Sequence, residues 1–167
     1  ANDYSYFEAK KKFRPFLAAW NGSQTYLTRS TFKHMGYAAA KSYGITLSTD
    51  KTLNQLPVPP ARPRGWIIEN HFEGLLYAFY SYEAEDVVVI GNEYAHNIDY
   101  GIDPHDRSRR LLFAQNTIHG TRNKHGMIGS REVNDSWFIN NHVYDNHGSG
   151  IMLDRSCMRN VIYGNVV

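Results

Sequence analysis

The sequence predicts an all-β chain folded as a parallel β-helix, a solenoid with about 24 residues in each coil. Short β-prone strips recur along the second half of the chain, and no strip has the apolar period of a helix over ten or more residues. Four strips end in an asparagine, with spacings of 24, 25 and 24: Asn92, Asn116, Asn141 and Asn165. A glycine followed by an apolar residue recurs with the same period: Gly101, Gly126 and Gly150.

Stacking of the coils predicts which side chains face inward. Neighbouring coils of a β-helix lie about 4.8 Å apart, so equivalent asparagines should form a ladder of amide hydrogen bonds. Strand alternation places Ile102 in one column with Met127 and Ile151, and this apolar column should belong to the core. Asp103 and His105 then point to solvent on the other face.

The repeat suggests one domain, a partial β-helix over residues 1–167. Residues 1–25 are expected to be irregular, and residues 48–64 form a proline-rich loop. Because the chain stops at Val167 in the middle of a repeat, we expect it to be a fragment of a longer helix. Propeller blades are longer than this period, and leucine-rich repeats need leucines that are missing here.

Composition excludes several classes of protein. The chain has 42% hydrophobic and 20% charged residues, which argues against disorder. A net charge of +2 requires neither nucleic acid nor an acidic membrane surface. The longest apolar run, residues 74–80, is too short to span a bilayer. The single cysteine, Cys157, excludes an internal disulfide framework.

The same stacking aligns charged residues that follow the glycine strips. His105 falls in one column with Ser130 and Asp154, and Asp106 falls in the next with Arg131 and Arg155. A histidine and an arginine should therefore lie within several ångströms on one outer face. Solvated turns would give the same charges, so a functional site and a plain surface both fit this pattern.

The string Asp103–Asp106 (DPHD) is open to three interpretations. Aspartate and histidine are metal ligands, although a full site needs further ligands such as Asp154 or His125. His105 is suited to general base catalysis with an aspartate orienting it. A capped turn with a fixed proline also explains the string. Tyr100 is a candidate proton donor or an aromatic side chain lining a sugar groove.

The chain resembles the mannuronan C-5 epimerases that act on alginate, of the bacterial periplasmic and brown-algal type. The resemblance is carried by YGIDPHD (100–106), KHG (124–126) and SREVNDS (130–136), and it extends to KSYGI (41–45) and GSGIMLDR (148–155). It implies a right-handed parallel β-helix that inverts C-5 of β-D-mannuronate in the polymer to give α-L-guluronate.

The resemblance also implies roles for individual residues. His105 would be the base, Arg131 would neutralise the substrate carboxylate, and Tyr100 or a water would be the acid. Asp103 and Asp106 would orient His105 or contact sugar hydroxyls. The remaining expected substrate-binding residues are Arg107, Lys124, His125, Asp154 and Arg155. We expect no metal and no cofactor, because the repeat modules of the calcium-dependent relatives are missing from this sequence.

The resemblance implies a periplasmic or extracellular location, including the cell wall, and alginate or polymannuronate as the partner. Other alginate biosynthesis proteins are candidate partners. Two alternatives stay open at this point. An alginate lyase begins with the same proton abstraction and ends in β-elimination, and a non-catalytic β-helix module would bind the polysaccharide without changing it.

Overall fold

A computed structural model of the chain describes residues 12–50 and 61–167, and every regular element within these ranges is a β-strand. The strands form three parallel sheets, two with six strands and one with five. Each of the first five coils contributes one strand to each sheet and the sixth contributes to two of them, so the predicted parallel β-helix is confirmed. No helix in the described ranges is long and apolar enough to cross a membrane.

The first sheet carries the groove described below and is called the groove sheet. Its strands are β1 (Leu17–Trp20), β4 (Gly44–Ser48), β7 (Tyr77–Tyr82), β10 (Tyr100–His105), β13 (Met127–Ser130) and β16 (Ile151–Asp154). The second sheet consists of β2 (Gln24–Thr28), β5 (Arg64–Ile68), β8 (Val87–Ile90), β11 (Leu112–Ala114), β14 (Trp137–Ile139) and β17 (Val161–Tyr163). The third sheet consists of β3 (Thr31–Lys33), β6 (His71–Glu73), β9 (Glu93–Ala95), β12 (Thr117–His119) and β15 (His142–Tyr144).

The predicted asparagine ladder is present at the corner between the second and third sheets. In each rung, the side-chain amide and the backbone N–H of one asparagine donate to the side-chain oxygen of the next. Asn92 donates in this way to Asn116 at 3.0 Å, and Asn116 donates to Asn141 at 3.0 Å. Asn141 donates to Asn165 at 2.8 and 2.9 Å, and Asn70 adds a first rung that the spacing did not identify.

The residue before each ladder asparagine has a positive φ, which turns the chain sharply into the next strand. Glycine occupies this position at Gly91 and Gly164, where the left-handed region costs little. Gln115 and Asn140 adopt the same conformation with φ of 55° and 52°. Position in the repeat, and not residue type alone, therefore determines the turn.

The repeated glycines of the groove sheet permit close approach of neighbouring coils. A Cβ atom added at Gly101 would lie 2.7 Å from the carbonyl oxygen of Gly126, and one added at Gly126 would lie 3.0 Å from that of Gly150. Ile102 and Met127 pair in register and are fully buried, which confirms the predicted core column. Ile151, on the last coil, is partly buried against this core.

The predicted irregular segment 1–25 and the predicted loop 48–64 each extend beyond the described residues. Residues 1–11 and 51–60 lie outside them. Within 1–25 the chain forms β1 and the first residues of β2. Strand β1 forms because it pairs with β4, and its own residues do not predict a strand.

Candidate active site

A groove of about 620 Å³ lies on the outer face of the groove sheet. Side chains from successive coils line it, together with residues from the bend before β4. Seven of the ten predicted site residues are among them: Tyr100, Asp103, His105, Asp106, Arg131, Asp154 and Arg155. The register confirms the predicted columns, because His105 pairs with Ser130 and Ser130 pairs with Asp154.

A repeated turn positions the charged residues beside these columns. Each groove-sheet strand from β10 onward is followed by two consecutive residues with positive φ: Asp106 and Arg107, Arg131 and Glu132, and Arg155 and Ser156. Such backbone is uncommon for residues other than glycine and is strained. The turn is held by its neighbours, since the backbone N–H of Asp106 donates to Ser130 and that of Arg131 donates to Asp154.

Asp106 lies between His105 and Arg131. One of its carboxylate oxygens forms a short hydrogen bond with Nδ1 of His105, and the other is 3.9 Å from Nη1 of Arg131. The carboxylate therefore fixes the orientation of the imidazole and leaves Nε2 as the nitrogen available for proton transfer. The Arg131 side chain is half exposed, so its guanidinium remains accessible to a ligand in the groove.

The surroundings of His105 favour its neutral form at physiological pH. Burial lowers its pKa below the ordinary value, and this outweighs the opposing influence of Asp106. The Arg131 and Lys41 charges lower the pKa further. Only 20% of the His105 side chain is exposed. A neutral imidazole in a groove, oriented by a carboxylate, is the arrangement required of a general base.

Asp103 differs from the sequence prediction. The expectation that it points to solvent is wrong, because the residue is 3% exposed on the floor of the groove. The prediction treated the outer face of the strand as open, but the groove walls cover this position. Burial raises the pKa of Asp103 to about 8, and one of its carboxylate oxygens has no hydrogen-bond partner among the described residues. The carboxyl group is thus mostly protonated at neutral pH.

The sequence analysis did not identify the residues that form one wall of the groove. Lys41, Tyr80 and Tyr82 line it beside His105, and the Tyr80 and His105 ring centroids are 5.6 Å apart. Tyr80 belongs to the apolar run at residues 74–80, for which the sequence analysis predicts no site residue. The signal that could have found these tyrosines is the register of β7 with β10, in which Tyr82 aligns with His105.

Tyr100 lies farther along the groove, next to two other predicted residues. Its ring stacks on His125 with centroids 5.9 Å apart, and Nζ of Lys124 is 4.9 Å from its centroid. Burial raises the pKa of the Tyr100 phenol. Lys124 also pairs with Asp99 at 3.3 Å. Lys124 and His125 do not line the groove itself but stand behind Tyr100 at its margin.

Arg107, Asp154 and Arg155 occupy different positions. Arg107 does not line the groove, and its guanidinium is held in a short ion pair by the buried carboxylate of Glu83. Asp154 and Arg155 are groove residues one coil beyond Arg131, and their side chains pair at 3.0 Å. The structure thus brings Asp154 and Arg155 to the site and directs Arg107 away from it.

Comparison with known proteins identifies the family to which this chain belongs. A family model described as periplasmic copper-binding protein (NosD) matches residues 62–167, which is more than half of the chain. The chain belongs to this family. Copper prefers imidazole and sulfur ligands, but the described part of this NosD-family chain has no group of three His, Cys, Asp or Glu side chains placed to hold a metal ion. Burial raises the pKa of the Cys157 thiol, which disfavours the thiolate. The described donor set therefore does not fit a copper centre.

Curated relatives of this NosD-family chain are mannuronan C5-epimerases, which confirms the resemblance read from the motifs. The Pseudomonas putida protein is 47% identical over 163 residues, covering 96% of this chain and 31% of the relative. The Pseudomonas aeruginosa protein is 51% identical over 142 residues, covering 85% of this chain and 26% of the relative. The chain therefore spans about a third of the length of these relatives.

A solved structure shows the same fold. The crystal structure of the periplasmic alginate epimerase AlgG superposes with a TM-score of 0.90 at 44% sequence identity. The match covers 93% of this chain and 37% of that chain. The NosD-family chain thus shares with this epimerase the β-helix that carries the groove.

Proposed function

We propose that this chain forms the catalytic part of a mannuronan C-5 epimerase, which converts β-D-mannuronate residues of the polymer to α-L-guluronate. The observation that carries the proposal is the arrangement of His105, Asp106 and Arg131 in a groove open to solvent. Homology to mannuronan C5-epimerases gives the substrate class.

The reaction defines what the groove must supply. The C-5 proton is α to a carboxylate, so its removal creates an enolate with a second negative charge. A base must remove the proton from one face of the sugar, a cation must stabilise the developing charge, and an acid must return a proton to the opposite face. The C5–H bond breaks and a new one forms, so no cofactor is needed for balance.

His105 is the proposed base. Its lowered pKa keeps the imidazole neutral, and the hydrogen bond from Nδ1 to Asp106 leaves the lone pair of Nε2 for the C-5 proton. When the imidazole takes the proton, the Asp106 carboxylate stabilises the resulting imidazolium. Asp106 therefore acts through His105 as a positioning residue.

Arg131 is the proposed cation for the substrate carboxylate. Its guanidinium lies next to Asp106 on the coil after His105, and half of the side chain is exposed to the groove. A guanidinium binds a carboxylate through paired N–H donors, and this interaction strengthens as charge develops on the enolate. Removing such a donor from an enzyme typically costs about 100- to 1,000-fold in rate.

The other predicted residues have supporting roles in the proposal. Asp103 is protonated at neutral pH and donates to a substrate oxygen, while Asp154 and Arg155 extend the groove one coil further. Tyr100, backed by Lys124 and His125, forms the other end, and either this phenol or a water is the acid. Arg107 is a weaker candidate for substrate contact, because Glu83 holds its guanidinium.

The location and partner follow from the same homology. The solved relative is a periplasmic alginate epimerase, so we place this chain in the periplasm and assign alginate or its polymannuronate precursor as its polymeric partner. Contacts with other alginate biosynthesis proteins are a further part of the proposal.

Proton NMR of polymannuronate incubated in heavy water with the protein that carries this chain tests the proposal. Guluronate signals, with deuterium at C-5 of the inverted residues, would establish epimerisation through proton exchange. Unsaturated chain ends without guluronate would instead establish a lyase. An unchanged polymer that still binds to the folded protein would establish a binding module and overturn the proposal.

A further inference from the structure

The groove wall before His105 holds a second cation. Lys41 lies in the bend before β4, and its Nζ is 2.9 Å from the hydroxyl oxygen of Tyr80. The same Nζ is 3.6 Å from the centroid of the Tyr82 ring. The aromatic face and the phenol oxygen hold the ammonium group in place on this wall.

The two tyrosines connect this ammonium to the catalytic strand. On neighbouring β7, Tyr82 is the register partner of His105, and Tyr80 is the partner of Asp103. The positive charge of Lys41 acts on both His105 and Asp103. Burial dominates the pKa shifts of His105 and Asp103, and the Lys41 charge lowers both pKa values in addition. Lys41 is thus electrostatically part of the site.

Lys41 and Arg131 lie on opposite sides of His105 along the stacking direction. The Lys41 ammonium sits over β7, on the coil before His105, and Arg131 follows β13, on the coil after it. A polyuronate bound along the groove presents one carboxylate per sugar residue. Two cations that flank the His105 coil, one on each side, therefore suit the carboxylates of two different residues of the polymer.

We propose that Lys41 binds the carboxylate of the sugar next to the reacting residue and so holds the reacting residue over His105. This proposal rests on the proposed function for the identity of the polymer. Lys41 contributes to binding and positioning, and not to the proton transfers. The interaction is charge-assisted, so it weakens as salt is added.

Binding measured without turnover separates this role from catalysis. In a His105→Ala background, the Kd for a mannuronate oligomer is measured by calorimetry with and without Lys41→Met. We expect Lys41→Met to raise the Kd by about tenfold, and Lys41→Arg to recover most of that loss. Lys33→Met is the matched control, because Lys33 lies on the third sheet and pairs with Glu73. The control should bind as its parent does.

With His105 restored, the KM of Lys41→Met for polymannuronate should rise about tenfold, while kcat changes by less than about threefold. A Kd equal to that of the Lys33→Met control would overturn the Lys41 assignment, and so would a fall in kcat with unchanged KM. Far-ultraviolet circular dichroism establishes that each variant is folded.

The outcomes also separate this inference from the proposed function. If the parent protein makes guluronate and Lys41→Met makes it with the same KM, the Lys41 assignment alone fails. If the parent makes no guluronate but binds the oligomer with a Lys41-dependent Kd, the epimerase proposal fails and the Lys41 contact stands.

Discussion

Two columns of stacked polar side chains run along this solenoid, and they have opposite properties. In the asparagine ladder, the side-chain oxygens of Asn92, Asn116 and Asn141 are buried and each amide has a partner on the next coil. In the groove, Asp103 is equally buried, but one of its oxygens has no hydrogen-bond partner in the described part of the chain, and its pKa is raised to about 8.

The comparison separates polar groups that stabilise the fold from those that carry chemistry. A fully satisfied buried network contributes to stability and specifies one structure. Buried groups whose pKa values are shifted within a groove are candidates for function, because their protonation can change when a ligand binds. The same repeat thus generates a scaffold at one corner and a site on one face.

Apart from loss of the base itself, the largest expected effect comes from removing the groove cation Arg131. Arg131→Ala should lower kcat for guluronate formation by about 100- to 1,000-fold, because the developing enolate loses its charge partner. The measurement is initial rate by NMR at saturating polymannuronate. Arg159→Ala is a matched control, since Arg159 pairs with Asp135 and does not line the groove. Equal rates for the two variants would contradict the role of Arg131.

Substitution in the asparagine ladder should lower stability and not the catalytic rate. Asn116→Ala removes the acceptor of the Asn92 N–H groups and the donor to the Val89 carbonyl, so the free energy of unfolding should fall by about 2–4 kcal/mol. The rate per folded molecule should stay close to that of the parent at low temperature. Urea denaturation followed by circular dichroism measures the loss.

Asn123→Ala is the control for the ladder, because Asn123 lies outside it and donates one long side-chain hydrogen bond, of 3.4 Å, to Asp99. Its loss should be about 1 kcal/mol. Equal losses for the two substitutions would show that stacking in the ladder does not set the contribution of each amide.

Asp103 should make stability depend on pH. Its folded pKa of about 8 lies above the ordinary aspartate value of about 3.9, so only the unfolded chain releases this proton between the two values. The Asp103 contribution therefore destabilises the fold progressively as pH rises from about 4 to about 8. Asp103→Asn should gain several degrees of Tm, relative to the parent, as pH rises across that window.

The exposed Asp145 provides the comparison for this effect, since Asp145→Asn removes a carboxylate elsewhere on the solenoid. The Tm difference between this variant and the parent should change little with pH. An Asp103→Asn gain that is constant from pH 5 to pH 8 would contradict a raised pKa.

The smallest expected effect concerns the acid limb of the pH–rate profile. Because the pKa of His105 is lowered, kcat/KM should fall only below about pH 6.5. Asp106 opposes this lowering, so Asp106→Asn should move the limb to still lower pH as well as reduce the rate. A limb that moves to higher pH in this variant would contradict the described coupling.

Much of this architecture is predictable from the sequence because the repeat is regular from residue 87 onward. The repeat period predicts the asparagine ladder, the Ile102–Met127 core column and the His105–Ser130–Asp154 column. The structure confirms all three. Stacking converts a spacing in sequence into a contact in space, so a single register is enough to align distant residues.

Other features depend on contacts that the period does not encode. The burial of Asp103 requires the groove walls, and Lys41 reaches the site from a bend outside the regular repeat. Arg107 and Arg131 have a positive φ, a backbone conformation that favours glycine, asparagine or aspartate. Neighbouring coils hold these turns, so their conformation is set by tertiary structure.

The most direct test of the central claim is the rate of guluronate formation by a His105→Ala variant that still binds polymannuronate. We expect a loss of about 100- to 10,000-fold, with circular dichroism and oligomer affinity close to those of the parent. Guluronate formation at the parent rate in this variant would show that the groove histidine is not the base.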